Sequence, residues 1–219
     1  MGGNIIPDAK SIKLANVSNV LTKLETILPF QFWVIGSAGQ KTESSDIDIL
    51  IDEEELLNYF HSISAKESKI SLSKYFEKLE YVSKRSGVSV HVGIPQNENG
   101  DIVQIDIMVV KNAEKAAPLH QHDYSDDPEM KGGTLHKMWA DLTNMRSTDE
   151  RNMMMSPYIG ILNRENREVI ADTKDGIAKI LIDEQATADD LSSISKFLIA
   201  MERHPKQRDV LVQTYIENE

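Results

Sequence analysis

Strict alternation of apolar and polar positions marks two stretches of this chain as strands. In Asp46-Ile47-Asp48-Ile49-Leu50-Ile51, an extended backbone sends Ile47, Ile49 and Ile51 to one side and Asp46 and Asp48 to the other. From Asp101 to Val110 the pattern repeats, with Ile105, Ile107 and Val109 on one side and Asp106 on the other. The second stretch follows an apolar run from Gly87 to Ile94, and the turn formers Pro95-Gln96-Asn97-Glu98-Asn99-Gly100 between them predict a hairpin.

A period near 3.6 replaces the alternation elsewhere. Leu14, Val17, Leu21, Leu24 and Leu28 predict a helix within residues 10–28, closed by Pro29 and followed by a strand ending in Val34-Ile35. Asp52 and Glu53-Glu54-Glu55 suit the first turn of a helix over residues 53–62, where the macrodipole favours negative charge. Leu72, Tyr75, Phe76 and Leu79 mark another helix before the hairpin. Residues 111–133 turn polar around Pro118, Pro128 and Gly132-Gly133, which divides the chain into parts 1–115 and 116–219.

The second part reads as mainly helical. Leu135, Met138, Trp139, Leu142 and Met145 predict an amphipathic helix with Thr134 as its N-cap, and Met153-Met154-Met155 is expected to fill core or an interface. Residues 158–162 and 168–171 predict a hairpin. Thr187-Ala188-Asp189-Asp190 opens a helix carrying Leu191, Ile194, Leu198 and Met201, ended by His204-Pro205, and a last helix begins near Gln207. The expected fold class is therefore α/β (α+β), a mixed sheet flanked by helices with a mainly helical C-terminal part.

Composition bounds the setting. A chain of 219 residues with 40% apolar composition can build one large core or two modest ones. It has no cysteine, which excludes disulfides, thiolate metal sites and a cysteine nucleophile, and fits a reducing compartment. No apolar run approaches the ~20 residues of a membrane span. The start Met1-Gly2-Gly3-Asn4-Ile5-Ile6 lacks a signal peptide's cationic region, and Ile6 stands where a myristoylation motif wants Ser or Thr. A cytoplasmic protein without membrane attachment is expected.

Asp46 and Asp48 are the chemical signal. Two carboxylates ~5 Å apart at an effective dielectric near 20 repel by about 3 kcal/mol, a cost that folding alone gives no reason to accept. A divalent cation reverses the sign, and oxygen ligands without histidine or cysteine between them suit Mg2+ or Mn2+. Asp106 supplies a third carboxylate on the later strand.

The strand ending in Gly36-Ser37, the eight residues between Ser37 and Asp46, the form Ser45-Asp46-Ile47-Asp48-Ile49 and the later Asp106 together resemble the DNA polymerase β-like nucleotidyltransferase superfamily, especially its minimal and antibiotic-modifying members. The resemblance covers residues 30–110. It implies a nucleotidyltransferase core in which Asp46 and Asp48 hold two Mg2+ (or Mn2+) ions and Asp106 joins them at the catalytic ion. It also implies a nucleoside triphosphate donor, with Asp106 assisting deprotonation of a hydroxyl acceptor. Gly36 would let the backbone approach the phosphates, Ser37 would bind them at the start of a short helix, and Ser45 would hydrogen-bond them as well. The alternative is a noncatalytic nucleotide-binding protein with the same fold, serving regulation or assembly.

Charge narrows the acceptor. Residues 1–110 carry ten Lys or Arg and fifteen Asp or Glu, a net −5, and residues 111–219 carry fourteen and twenty, a net −6. With both halves acidic and no basic stripe interleaved with aromatics, a small molecule or protein side chain is favoured over a long nucleic acid.

Other residues admit two readings. If the hairpin pairs symmetrically about its loop, opposed residue numbers sum to about 197 and His91 faces Asp106. A slip of one residue makes it an ordinary strand histidine. Lys131-Gly132-Gly133-Thr134 suits a triphosphate contact through Lys131 or simply a flexible loop before a helix. His120-Gln121-His122-Asp123 has zinc-ligating residue types, but without a partner pair at suitable spacing it reads as a polar surface loop.

Overall fold

A computed structural model describes residues 5–87 and 89–216. Met1 to Asn4, on which the leader and lipidation readings bear, and Val88, assigned to a strand by the apolar run, lie outside the described residues. The chain divides into two compact units, residues 1–117 and 118–219, each with its own apolar core.

The first unit runs β1 (Ile12–Lys13), α1 (Leu14–Ile27), β2 (Trp33–Ile35), β3 (Glu43–Ser44), β4 (Asp46–Asp52), α2 (Glu53–Phe60), α3 (Ala65–Lys78), β5 (Ser83–Ser86), β6 (Ser89–Pro95), β7 (Ile102–Val110) and α4 (Ala113–Ala116). Five strands form one sheet in the order β2-β4-β7-β6-β5, and β1 pairs separately with β3. The sheet is mixed, because β4 and β7 run parallel while the other neighbours are antiparallel.

The alternation seen in the sequence becomes two unlike faces. Ile47, Ile49 and Ile51 of β4, Val90 and Val92 of β6, and Ile105 and Ile107 of β7 join Val20 and Leu24 of α1, Leu56 of α2 and Phe76 of α3 in the core. Burying each such side chain contributes about 2 kcal/mol, enough to fix the register, since a slip of one residue would invert every side chain. Asp46, Asp48 and Asp106 consequently share the opposite face.

Local chemistry sets the element ends. Ser64 caps α3 by accepting from Glu67 N, and Glu53, Glu54 and Glu55 occupy the first turn of α2 as expected from the helix dipole. Asp52 precedes that turn, but its carboxylate instead accepts from Ala113 N at 3.0 Å and ties the start of α4 to β4. The hairpin strand begins at Ser89, because Gly87 with φ of 55° belongs to the turn from β5, a strand whose polar Ser-Lys-Arg-Ser sequence hides it.

The second unit contains α5 (Gly132–Arg146), β8 (Met153–Ser156), β9 (Gly160–Asn163), β10 (Val169–Ala171), α6 (Lys174–Leu181), α7 (Ile194–Ala200) and α8 (Pro205–Tyr215). Its predicted hairpin is present as β9 and β10, and the methionine run adds β8 to give a three-stranded sheet. Met153 is buried in the core of this unit. Thr134 is not the N-cap of α5, since the carbonyl of Lys131 already accepts from Thr134 N and Leu135 N and starts the helix earlier.

The single helix expected over residues 187–204 is broken. Thr187 and Asp190 form a capping box on a short 3-10 turn, and Ser193 then caps α7 by accepting from Lys196 N. Two consecutive serines offer the backbone this alternative to a continuous helix. Pro205 then starts α8 two residues before Gln207.

Candidate active site on the mixed sheet

Parallel pairing places Asp48 directly beside Asp106 and Asp46 beside Gln104. On the other edge of β7, antiparallel pairing sets His91 opposite Asp106, the symmetric register of the hairpin. Asp46, Asp48, Asp106, His91 and Gln104 therefore project from one face across three adjacent strands. Adjacent strands lie ~4.8 Å apart, which is the carboxylate spacing that makes repulsion large.

The electrostatics follow from that packing. Burial pushes the carboxyl pKa of Asp48 up to about 8, with Asp46 and then Asp106 adding to it. Asp46 is raised as well, by burial first and by Asp106 second, against the Ser45 hydroxyl, which donates to Asp46 Oδ1 at 3.0 Å. Asp48 accepts no hydrogen bond among the described residues.

Asp106 is held on one oxygen only. His91 Nδ1 lies 2.7 Å from Asp106 Oδ1, and Gln104 Nε2 donates to the same oxygen at 2.8 Å. With a carboxylate as acceptor, His91 Nδ1 is the donor, and its Nε2 is buried without a partner among the described residues. Asp106 Oδ2 has no partner among the described residues and is free for other chemistry.

Gly36 closes one side of the site. Its φ is 74°, and a Cβ built there would stand 2.8 Å from Asp48 Oδ2, so only glycine lets the backbone pass this carboxylate. Ser37 starts a hydrogen-bonded turn rather than the expected short helix. Its carbonyl accepts from Gln40 N and Lys41 N, and Gly39, with φ of 84°, stops the coil. The Ser37 hydroxyl meets the Ser44 hydroxyl at 3.1 Å, just before Asp46.

Asp46, Asp48, Asp106, Gly36, Ser37 and Ser45 thus belong to one neighbourhood of the first unit. Lys131 belongs to the second unit, exposed at the N-cap of α5, and is not part of this sheet. Gln104 was missed by sequence reasoning, although its place two residues before Asp106 in an otherwise apolar strand was a usable signal. The donor set suits a hard divalent cation: carboxylate oxygens only, with Asp48 and Asp106 Oδ2 unsatisfied. Among the described residues no three acidic or histidine side chains are already closed into a metal-holding group.

His120 and His122 do not form a polar surface loop. The rings of His120 and His136 stand 4.5 Å apart, those of His122 and His136 5.1 Å, and Trp139 packs 4.8 Å from His136. Helix α5 supplies His136 and Trp139, partners that linear spacing could not reveal. Burial holds the pKa of His120 down at about 3, His122 at about 2 and His136 at about 4, so all three are neutral at pH 7.

No protein-family model and no curated protein matches the chain. Among the described residues no helix is long and apolar enough to cross a membrane.

Proposed function

We propose that the chain is a metal-dependent nucleotidyltransferase acting in the cytoplasm. It moves a nucleoside monophosphate from a nucleoside triphosphate to a hydroxyl acceptor and releases pyrophosphate. The observation that carries this reading is the register that sets Asp46, Asp48 and Asp106 on one face, with Gly36 stripped of a side chain against Asp48. Nothing in the packing of the sheet calls for three facing carboxylates, and a cation-dependent reaction does.

Asp46 and Asp48 would hold both Mg2+ (or Mn2+) ions, and Asp106 would hold one of them. Bound there, the ions supply charge neutralisation at the phosphates and acidify the acceptor hydroxyl. Asp106 Oδ2, which accepts no hydrogen bond from a described residue while Oδ1 is anchored, would both face its ion and assist removal of the hydroxyl proton as the acceptor oxygen bonds to the α-phosphorus and the bond to pyrophosphate breaks. Gly36 and the Ser37 turn leave backbone accessible to the triphosphate, and Ser45 steadies Asp46. The acidic charge of both halves supports a small-molecule or protein acceptor over a long polynucleotide.

The test is to incubate each α-labelled nucleoside triphosphate separately with Mg2+ or Mn2+, the protein and cell extract. A labelled small molecule, protein or RNA that disappears with Asp46→Asn and Asp106→Asn is expected. Undiminished transfer by either variant overturns the mechanism. Nucleotide binding without transfer to any acceptor would make the protein a binding module, and free monophosphate alone would make it a hydrolase.

A further inference from the structure

Gln104 is buried to 1% exposure, and its amide is used at both ends. Oε1 accepts from Ile5 N at 2.8 Å and Ile6 N at 3.0 Å, while Nε2 donates to Asp106 Oδ1 at 2.8 Å. Two backbone N–H groups can be met only by the carbonyl end of the amide, so its NH2 end must face Asp106. Burying an amide among aliphatic neighbours costs free energy unless it is fully bonded, and here the bonding is supplied by the N-terminal segment.

That segment reaches both sides of the site. Ile6 is fully buried over Gly93, where a Cβ would stand 2.9 Å from Ile6 Cγ2. Lys10 N donates to Ile102 O at 2.7 Å, and the Ser11 carbonyl accepts from Gln96 Nε2 at 3.1 Å. Ile12 then pairs with Ser44, whose hydroxyl meets Ser37 two residues ahead of Asp46. Residues 5–13 thus contact the strand that carries Asp106 and the segment that leads into Asp46.

We infer that residues 5–13 are a positioning strap, acting through Gln104, which fixes Asp106 with Oδ1 anchored and Oδ2 presented, and so sets the metal affinity of the site. This rests on the reading of the three aspartates as metal ligands. Gln104 is a positioning residue that touches neither substrate nor ion. Seating residues 5 and 6 completes the site, and unseating them leaves Asp106 Oδ1 held by His91 alone.

The test measures Mn2+ affinity of the full chain by electron paramagnetic resonance, alongside thermal unfolding and steady-state kinetics. Gln104→Met keeps the length and packing of the side chain and removes both ends of the relay. It should weaken Mn2+ binding about 10- to 100-fold, as loss of an outer-sphere partner does, with kcat restored at saturating Mn2+. Ile5→Pro removes one N–H donor at a half-buried position and should give a smaller loss in the same direction. If Gln104→Met fails to fold, Ile5→Pro decides. Unchanged Mn2+ affinity in the folded variants overturns the strap. If Asp46→Asn also binds Mn2+ like the wild type, the metal-site reading itself fails, and the two failures are thereby separated.

Discussion

Asp48 and Asp106 stand directly opposite one another on adjacent parallel strands, and Asp48 receives no hydrogen bond from any described residue. Burial first, and the neighbouring Asp46 and Asp106 second, make an ionised Asp48 oppose folding, so that folding must either desolvate the charge or bind a proton. In metal-free protein, Asp48→Asn should therefore raise stability by about 2 kcal/mol at neutral pH while abolishing Mn2+ binding. The sign follows from its pKa of about 8 in the fold against an ordinary carboxylate value when unfolded. Between these values the folded state binds more protons, so the wild type loses stability as pH rises. The advantage of Asp48→Asn should grow from pH 5 to pH 8 in urea unfolding with EDTA present. A variant less stable than wild type across that range would refute the argument from burial and repulsion.

Gly36→Ala should act on the same carboxylate from the backbone side. A Cβ would stand 2.8 Å from Asp48 Oδ2 at a φ of 74°, so strain and a displaced carboxylate arrive together. The expected cost is about 1–2 kcal/mol of stability together with weakened Mn2+ binding. A Mn2+ titration matching wild type would show that Asp48 does not need this clearance.

Period-two patterning makes β4 and β7 legible in the sequence, because one apolar face and one acidic face demand a definite register. It also places His91 opposite Asp106, once symmetric pairing about the loop is assumed. Gln104 escapes notice because a single amide in a strand has no periodicity of its own, and its meaning depends on backbone donors 98 and 99 residues away. The histidine cluster escapes for the same reason, since His136 comes from a different element. Strand β5 is hidden because its residues are polar and lie at a sheet edge, where burial does not select them.

Gly160→Ala should destabilise the second unit selectively. With φ of 108° and Ala171 O in the space a Cβ would take, the β9–β10 pairing cannot form unchanged. A loss of about 3 kcal/mol or more is expected. Each unit holds one of the two tryptophans, Trp33 and Trp139, so emission in a Trp33→Phe background reports the second unit alone. An unchanged melting transition of Trp139 would argue against the close approach at Gly160.

Acid should open the second unit through His120, His122 and His136. Their pKa values of about 3, 2 and 4 lie below the ordinary value of 6.5, chiefly because burial disfavours the charged ring. Below pH 6.5 the unfolded chain takes up protons that the folded unit refuses. Each histidine then costs up to about 1.4 kcal/mol of stability per pH unit until its folded value is reached. Coupling among the three rings makes the combined slope smaller than three times that figure. The ammonium of Lys174, itself depressed to about 8 by burial, adds repulsion against each imidazolium that forms. Trp139, packed on His136 and His122, reports the event: its emission in the Trp33→Phe protein should shift to the red between pH 6 and pH 4. His122→Phe removes one proton-binding ring while keeping an aromatic body, and should move that midpoint to lower pH. A midpoint unchanged by His122→Phe would show that the acid transition begins elsewhere.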